Sequence, residues 1–167
     1  MSKEITFYKY QGTGNDFVIT SDLYDVTSEQ VIQLCHRKYG IGADGLIVMK
    51  KGETSDFDMM YYNADGSESF CGNGSRCAVK HAAFLGWISS ECVFSSKDGE
   101  HTAIIEGDEV QLKMHDVDMV LVEDEGYMLN TGSPHYIAYT EELDELDLIT
   151  AAHAIRYNDT FKEVGIN

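Results

Sequence analysis

The chain has 167 residues, of which 43% are hydrophobic, so it is long enough for one ordinary domain or slightly more. Its formal net charge of −17 repels phosphate backbones, which argues against a nucleic-acid partner. No apolar run is long enough to cross a bilayer, and the N-terminus lacks the apolar core of a signal peptide. We therefore expect a cytoplasmic protein with no membrane partner.

The four cysteines are then expected to lie in a reducing compartment, where structural disulfides are rare. None of their spacings matches a zinc pattern, and no lysine stands in a motif suited to a Schiff base. Cys35, Cys77 and Cys92 lie within apolar periodic runs and are predicted to pack as small hydrophobic side chains. The sequence therefore predicts no metal site and no cofactor, and it leaves Cys71 as the candidate for chemistry.

The first elements are two short strands and a helix. Residues 5–9 and 16–20 are rich in aromatic and β-branched side chains, which favours strands, and a glycine-containing turn joins them. A helix is predicted over 27–40. It opens with a capping box at Thr27 and ends at Gly40.

The middle of the chain is predicted to form two strands, a turn and a second helix. The strands cover 45–50 and 57–62, and the turn covers 63–66. The helix begins near Cys71 and ends at Gly86. Because its side chains are small or apolar on most sides, we expect this helix to be buried.

The remaining elements are a β-meander, two later strands and one short helix. They are predicted at 92–96, 101–106 and 109–114, then at 127–130 and 135–139, and finally at 146–157 with Asp147 as the helix cap. The chain as a whole is predicted to be an α+β protein with many short strands around one buried helix. The last ~50 residues are few for a core of their own.

The stretch FCGNGSRCAVKHAAFLG, residues 70–86, carries the strongest chemical signal. A helix N-terminus presents unpaired N–H groups and partial positive charge, which suit a carboxylate and lower the pKa of a thiol. Gly72 lets a ligand approach the backbone, and Arg76 adds positive charge. Cys71 is therefore a candidate base or nucleophile, although a buried cysteine without a role fits this stretch equally well.

Three asparagines, Asn15, Asn63 and Asn73, each lie beside a glycine or within a turn. Asparagine is common in turns, and that accounts for each residue by itself. If the three turns converge, they provide uncharged amide donors and acceptors suited to a zwitterionic ligand. The sequence leaves both interpretations open.

Four motifs occur in order along the chain: KYQGTGNDFVI, HRKYGIGADGLIV, YYNADGSES and CGNGSRCAV. With TGSPH and the terminal FKEVGIN, they resemble the diaminopimelate epimerase family over nearly the whole chain. The resemblance implies two similar domains, each with β-strands wrapped around a central helix, and an active site between them. Residues 1–117 would be the N-terminal domain, and 118–167 the incomplete start of the second domain.

The resemblance also implies an isomerase activity that needs no pyridoxal phosphate, the conversion of LL- to meso-diaminopimelate in lysine and peptidoglycan synthesis. Two cysteines would face each other across the substrate, one removing the α-proton and the other returning a proton. Cys71 is similar to the first of them. The residues that match substrate-binding positions of the family are Asn15, Asn63, Gly72, Asn73 and Asn167. His135 matches a histidine that tunes the pKa values of the cysteines.

This chain departs from the family pattern at four places, one of which is a link between NADGSE and CGNG that is one residue shorter than the resemblance implies. Gly45 stands where many relatives have a substrate-binding glutamine, and Ser133 stands where they have a binding asparagine. No cysteine follows Cys92, so the second catalytic cysteine is missing. We therefore expect the N-terminal part of an epimerase that is inactive alone.

Two other interpretations stay open. The chain can be a binding or assembly half that pairs with a second-half polypeptide or, as a homodimer, with its own copy. It can also belong to a related proline or hydroxyproline racemase-type enzyme, which uses the same paired thiols.

Overall fold

A computed structural model describes residues 4–23, 25–123 and 126–167 of the chain. It divides into two compact units, Met1–Met114 and His115–Asn167. Among the described residues, no helix has the length and apolarity needed to span a membrane. The predicted domain boundary after residue 117 stays a prediction.

The first unit contains a curled, mixed sheet of eight strands. The strands are β1 (Tyr8–Gly12), β2 (Asn15–Thr20), β3 (Gly45–Lys51), β4 (Phe57–Asn63), β5 (Glu68–Ser69), β6 (Glu91–Ser96), β7 (Gly99–Glu106) and β8 (Glu109–Leu112). Their order is β1-β2-β3-β4-β6-β7-β8, with β5 paired to β4. The pairs β2–β3 and β4–β6 are parallel, and the others are antiparallel. The predicted strands of the middle region and the β-meander are confirmed.

Two helices cover the two faces of this sheet. Helix α2 (Gly72–Phe84) packs on the inner face, in a core that includes Phe17, Ile47 and Phe94. Helix α1 (Ser28–Cys35) packs on the outer face of the central strands. Burial on both faces explains why β3 is an almost unbroken apolar run. The prediction of an α+β fold with strands around one buried helix is confirmed.

The first strand runs over Tyr8–Gly12, so its predicted position at 5–9 was wrong. The register pairs Gly12 directly with Asn15, and only Thr13 and Gly14 remain between the strands. Both turn residues have positive φ, 54° and 85°, as in the tight two-residue hairpin turns whose twist matches that of paired strands. The tight turn draws Gly12 and Asn15 into the ladder and moves the first strand toward the turn.

Helix α1 starts with the predicted capping box but ends at Cys35, five residues before Gly40. His36 leaves the helical conformation, and its Nδ1 atom accepts hydrogen bonds from the N–H groups of Lys38 and Tyr39, both at 3.1 Å. A side chain that captures following N–H groups offers the backbone an alternative to another helical turn. The helix therefore stops before its glycine.

The second unit contains a three-stranded antiparallel sheet and one helix. The strands are β9 (Val120–Glu123), β10 (Gly126–Asn130) and β11 (Pro134–Ile137), in the order β11-β10-β9, and Leu143–Glu145 forms a short 3₁₀ turn. Helix α3 (Leu148–Arg156) is capped by Asp147, whose carboxylate accepts from Thr150 N–H, as predicted. Strand β9 was not predicted, although Val120 and Val122 are β-branched residues that favour strands. All four of its residues are exposed.

Candidate active site

The polar side chains of Asn15 and Asn63 lie at one end of the inner face of the sheet, against which Cys71 also packs. Strand β2 begins with Asn15 and β4 ends with Asn63, while Gly45 pairs with Phe17 on one side and with Asn63 on the other. Side chains alternate along a strand, so Asn15 shares the face of Phe17, and Asn63 shares the face of Tyr61. Both aromatic residues belong to the core around α2. The two asparagines therefore continue the inner face beyond its apolar part.

Cys71 is the N-cap of α2, and its side chain is only partly buried. Its sulfur accepts a hydrogen bond from the Gly74 N–H at 3.4 Å, so the thiol takes the position usually held by a serine or aspartate oxygen. The same sulfur lies 3.8 Å from the amide oxygen of Asn15, to which its S–H group donates. The structure thus brings two predicted site residues, Cys71 and Asn15, into contact.

Burial raises the pKa of the Cys71 thiol above its ordinary value. The N–H groups of Gly74 and Asn73 and the positive charge of Arg76 act in the opposite direction but do not outweigh burial. The expectation that the helix N-terminus lowers the pKa of Cys71 was therefore wrong, because the net shift is upward. The helix N-terminus favours thiolate as expected, but a sequence does not show how deeply a sulfur lies.

A carboxylate fixes the orientation of the Asn15 side chain. The Nδ2 group of Asn15 donates to Asp44 at 2.8 Å, which leaves the amide oxygen directed at Cys71. Asp44 also accepts from Arg37 at 2.7 Å, and Arg37 binds both carboxylate oxygens of Asp16, at 2.8 and 3.1 Å. The uncharged Asn15 amide thus links the Cys71 thiol to the charged side chains of Asp44 and Arg37.

Asn63 is held by two serine side chains that follow it in sequence. Its Nδ2 group lies 3.0 Å from the hydroxyl oxygens of both Ser67 and Ser69. Ser69 belongs to β5, which leads directly into Cys71. In the first turn of α2, the Gly72 carbonyl accepts from the Arg76 guanidinium at 3.0 Å.

Two further predicted site residues lie in the second unit. The Asn167 side chain donates to the Ser133 hydroxyl at 2.6 Å, and its backbone N–H donates to the Pro134 carbonyl at 2.9 Å. The Nδ1 atom of His135 lies 2.7 Å from the Ser133 carbonyl oxygen and 3.3 Å from the Thr131 hydroxyl. Asn167 and His135 thus share a cluster around Ser133, and their assigned roles stay predictions.

The other cysteines are structural. Cys35, Cys77 and Cys92 are free and buried, as predicted. Burial raises the pKa of Cys77 and of Cys92 to about 11. These thiols stay protonated near neutral pH and contribute apolar volume to the core.

The sequence reasoning missed Asp44 and Tyr61. Asp44 lies in the GADG segment and was not considered as the residue that orients Asn15. Tyr61 lies two residues before Asn63 on a predicted strand, and this spacing was enough to place both on one face. The alternation of side chains in YYN was therefore a usable signal.

The family model for diaminopimelate epimerase matches residues 7–120, the part of the chain that holds Cys71 and the sheet around it. The chain belongs to the diaminopimelate epimerase family. It is 42% identical to the diaminopimelate epimerase of Flavobacterium psychrophilum over 166 residues, covering 96% of this chain and 65% of that protein. It is 38% identical to that of Chlorobaculum tepidum, covering 93% of this chain and 65% of the relative. The chain thus spans slightly less than two thirds of the length of these relatives.

Solved structures agree on the fold. A phenazine biosynthesis protein of the PhzF family from Bacillus anthracis matches with a TM-score of 0.59 at 15% identity, covering 83% of this chain and 57% of that one. A hydroxyproline epimerase from Agrobacterium vitis matches with a TM-score of 0.59 at 11% identity, covering 89% and 57%. At these identities, the likeness concerns the fold alone.

Proposed function

We propose that this chain supplies the Cys71 side of a diaminopimelate epimerase site. In this site, the Cys71 thiolate removes the proton from the α-carbon of bound diaminopimelate. The observation that carries the proposal is the position of the sulfur, which caps α2 and lies 3.8 Å from the Asn15 amide oxygen. The names of the relatives supply the substrate.

The proposed step is a proton transfer between carbon and sulfur. The α-carbon–hydrogen bond breaks, the proton moves to Cys71, and the electron pair stays on the substrate, spread into its carboxylate. Return of a proton to the opposite face inverts the centre, whereas return from Cys71 restores the starting isomer. If the Cys71 thiol exchanges its proton with heavy water before it returns one, the starting isomer gains deuterium at the α-carbon. A donor on the opposite face that has exchanged in the same way leaves deuterium in the inverted isomer.

The thiolate needs help, because burial raises the pKa of Cys71. The N–H groups of Asn73 and Gly74 favour the charged sulfur, as does the Arg76 guanidinium. The α-ammonium group of a bound amino acid would add a positive charge close to the sulfur. We expect substrate binding itself to complete the activation of the base.

The proposed substrate contacts within the first unit are uncharged. Asn15 and Asn63 offer amide groups, and Gly72 and Asn73 offer the backbone of the first helical turn, which suits a carboxylate. In the second unit, we assign Asn167 to substrate binding, and His135 to tuning the pKa values of the catalytic thiols.

The proposal is tested by deuterium uptake at the α-carbons of LL- and meso-diaminopimelate in heavy water. We compare this chain with Cys71→Ser, and we use Cys77→Ala as the control because Cys77 lies on the same helix with its sulfur in the core. The expected result is exchange without net inversion in the chain and in the control, because no cysteine follows Cys92 to return a proton to the opposite face. Cys71→Ser should show no exchange. Exchange in Cys71→Ser at the rate of the unaltered chain would contradict the assignment of Cys71 as the base.

Alkylation tests the site without requiring turnover. Iodoacetamide should label Cys71 well before the other three thiols, each of which is at most 5% exposed. Diaminopimelate should slow the labelling of Cys71, whereas L-proline at the same concentration should not. Equal protection by L-proline would favour a racemase-type substrate, and labelling of all four cysteines at one rate would contradict an accessible site thiol.

A further inference from the structure

Position 45 has no room for a side chain. A Cβ atom built on Gly45 would lie 2.4 Å from the ring of Tyr61, 2.8 Å from its hydroxyl oxygen and 2.6 Å from the Tyr62 carbonyl oxygen. Real Cβ atoms essentially never approach other atoms so closely. The Tyr61 side chain therefore lies across the backbone of Gly45, where β3 begins.

This placement puts the Tyr61 phenol among the residues of the candidate site. Tyr61 alternates with Asn63 on β4, and its ring meets that of Phe17 edge-on at a centroid distance of 5.8 Å. Phe17 in turn alternates with Asn15 on β2. Cys71 packs against the core cluster that contains both rings. The phenol thus lies on the inner sheet face that carries both asparagines and against which the thiol packs.

The Tyr61 hydroxyl is available to a ligand. The residue is only 5% exposed, and within the described ranges of the chain no hydrogen bond joins its hydroxyl to another group. Burial, followed by the charges of Cys71 and Asp44, raises its pKa, so the phenol stays protonated at neutral pH. The hydroxyl oxygen is not among the fully enclosed side-chain atoms that lack a partner, so it keeps contact with solvent, and a bound ligand can accept its proton there.

The nearby side chains are mainly hydrogen-bond acceptors. The Asn15 carbonyl oxygen is directed at Cys71, and the Asp44 carboxylate holds the other end of that amide. The Asn15 oxygen suits an ammonium group, whereas the Asp44 oxygens already accept from Asn15, Asp16 and Arg37. A protonated phenol supplies what they lack, which is a neutral donor for an anionic oxygen.

We propose that the Tyr61 hydroxyl donates a hydrogen bond to a carboxylate oxygen of the bound substrate, and that Gly45 is required so that the phenol can reach this position. This inference rests on the proposed function, because it takes an amino acid with a free carboxylate as the ligand. Tyr61 is then a substrate-binding residue that the motifs of the sequence did not single out.

The test compares Tyr61→Phe with Tyr62→Phe in the full chain. The first change removes only the hydroxyl on the inner face. The second removes the neighbouring hydroxyl, which donates to the Met60 sulfur at 3.7 Å on the opposite face of the strand. For each protein we measure the diaminopimelate concentration that halves the rate of Cys71 labelling by iodoacetamide, together with the labelling rate without ligand and the midpoint of thermal unfolding.

We expect Tyr61→Phe to raise the half-protecting concentration about tenfold to a hundredfold, as for a lost hydrogen bond to a charged group. Its ligand-free labelling rate should stay near that of the unaltered chain, and Tyr62→Phe should leave protection unchanged. Equal protection in Tyr61→Phe and the unaltered chain would overturn the role of Tyr61 and leave the proposed function standing. A matching loss in Tyr62→Phe would also overturn it. Absence of protection in the unaltered chain would overturn both proposals.

Discussion

Replacement of Asp44 by asparagine tests whether this carboxylate organises the site. One of its oxygens accepts from the Asn15 side chain at 2.8 Å and from the Asp16 N–H at 3.1 Å, and the other accepts from Arg37 at 2.7 Å. An amide can keep only one of these oxygens. In its better orientation, the oxygen stays with Asn15 and Asp16, and the new NH₂ group then faces the donors of Arg37.

The loss of stability in Asp44→Asn comes from the hydrogen bonds donated by Asn15 and Asp16, whose acceptor changes from a carboxylate to a neutral amide. A hydrogen bond to a charged group contributes about 1 kcal/mol more than a neutral one, so the pair accounts for about 2 kcal/mol. The ion pair with Arg37 adds little, because the side chains of Arg37 and Asp44 are 59% and 41% exposed. For a chain of this size, Asp44→Asn should lower the midpoint of thermal unfolding by roughly 6 °C.

The matched control is Asp58→Asn, at the start of β4 and away from the site. Asp58 accepts from the Ser55 hydroxyl at 2.8 Å and lies 3.4 Å from the Lys50 ammonium, so the same chemical change removes weaker support. Differential scanning fluorimetry compares the midpoints of thermal unfolding of the unaltered chain, Asp44→Asn and Asp58→Asn. If the Asp44 variant unfolds no earlier than the Asp58 variant, the carboxylate does not hold the Asn15 amide as described.

Three further predictions concern the pKa of Cys71, the stability of the fold at low pH and the packing of the hydrophobic core. Arg76→Gln should raise the pKa of Cys71, because it removes a positive charge that favours thiolate, and the pH midpoint of iodoacetamide labelling should move upward. The Arg37 guanidinium holds the pKa of Asp16 well below its usual range, so stability that is present above about pH 4 should be lost as the pH falls further. Asp16→Asn should flatten that loss in thermal unfolding between neutral pH and pH ~2.5. Phe94→Ala should cost about 3–5 kcal/mol in urea unfolding, because the ring is fully buried and stacked on another phenylalanine at 5.0 Å.

Elements whose signals are local could be predicted from the sequence. Helix α2 lies between Cys71 and Gly86 as expected, because a capping position, a run of small apolar residues and a glycine with a φ of 70° agree with one another. The β-meander was found for the same reason, since glycine turns separate its strands. The end of α1 depended instead on the His36 ring, which turns back onto the N–H groups of the following loop.

The properties of the site depend on contacts between distant segments, and the sequence did not show these. Cys71 was correctly placed at a helix N-terminus, but the direction of its pKa shift depends on burial by strands far away in the chain. Asn15 was found as a turn residue, whereas its orientation depends on Asp44, 29 residues later. The spacing of Tyr61 and Asn63 indicates a shared face, but the position of the Tyr61 ring over Gly45 depends on the register of β3 and β4.

The distribution of charge around the thiol accounts for how an acidic chain can bind the proposed substrate. The formal net charge is −17, yet the Cys71 sulfur forms its hydrogen bonds with the Gly74 N–H and the Asn15 amide oxygen, both uncharged. Asp44 accepts a hydrogen bond from the Asn15 side chain, and the Arg37 guanidinium donates to both Asp44 and Asp16. Diaminopimelate carries two ammonium and two carboxylate groups, and oriented neutral acceptors and donors can pair with both kinds of group. The paired carboxylates are therefore better understood as supports that orient an amide than as direct ligands of the substrate.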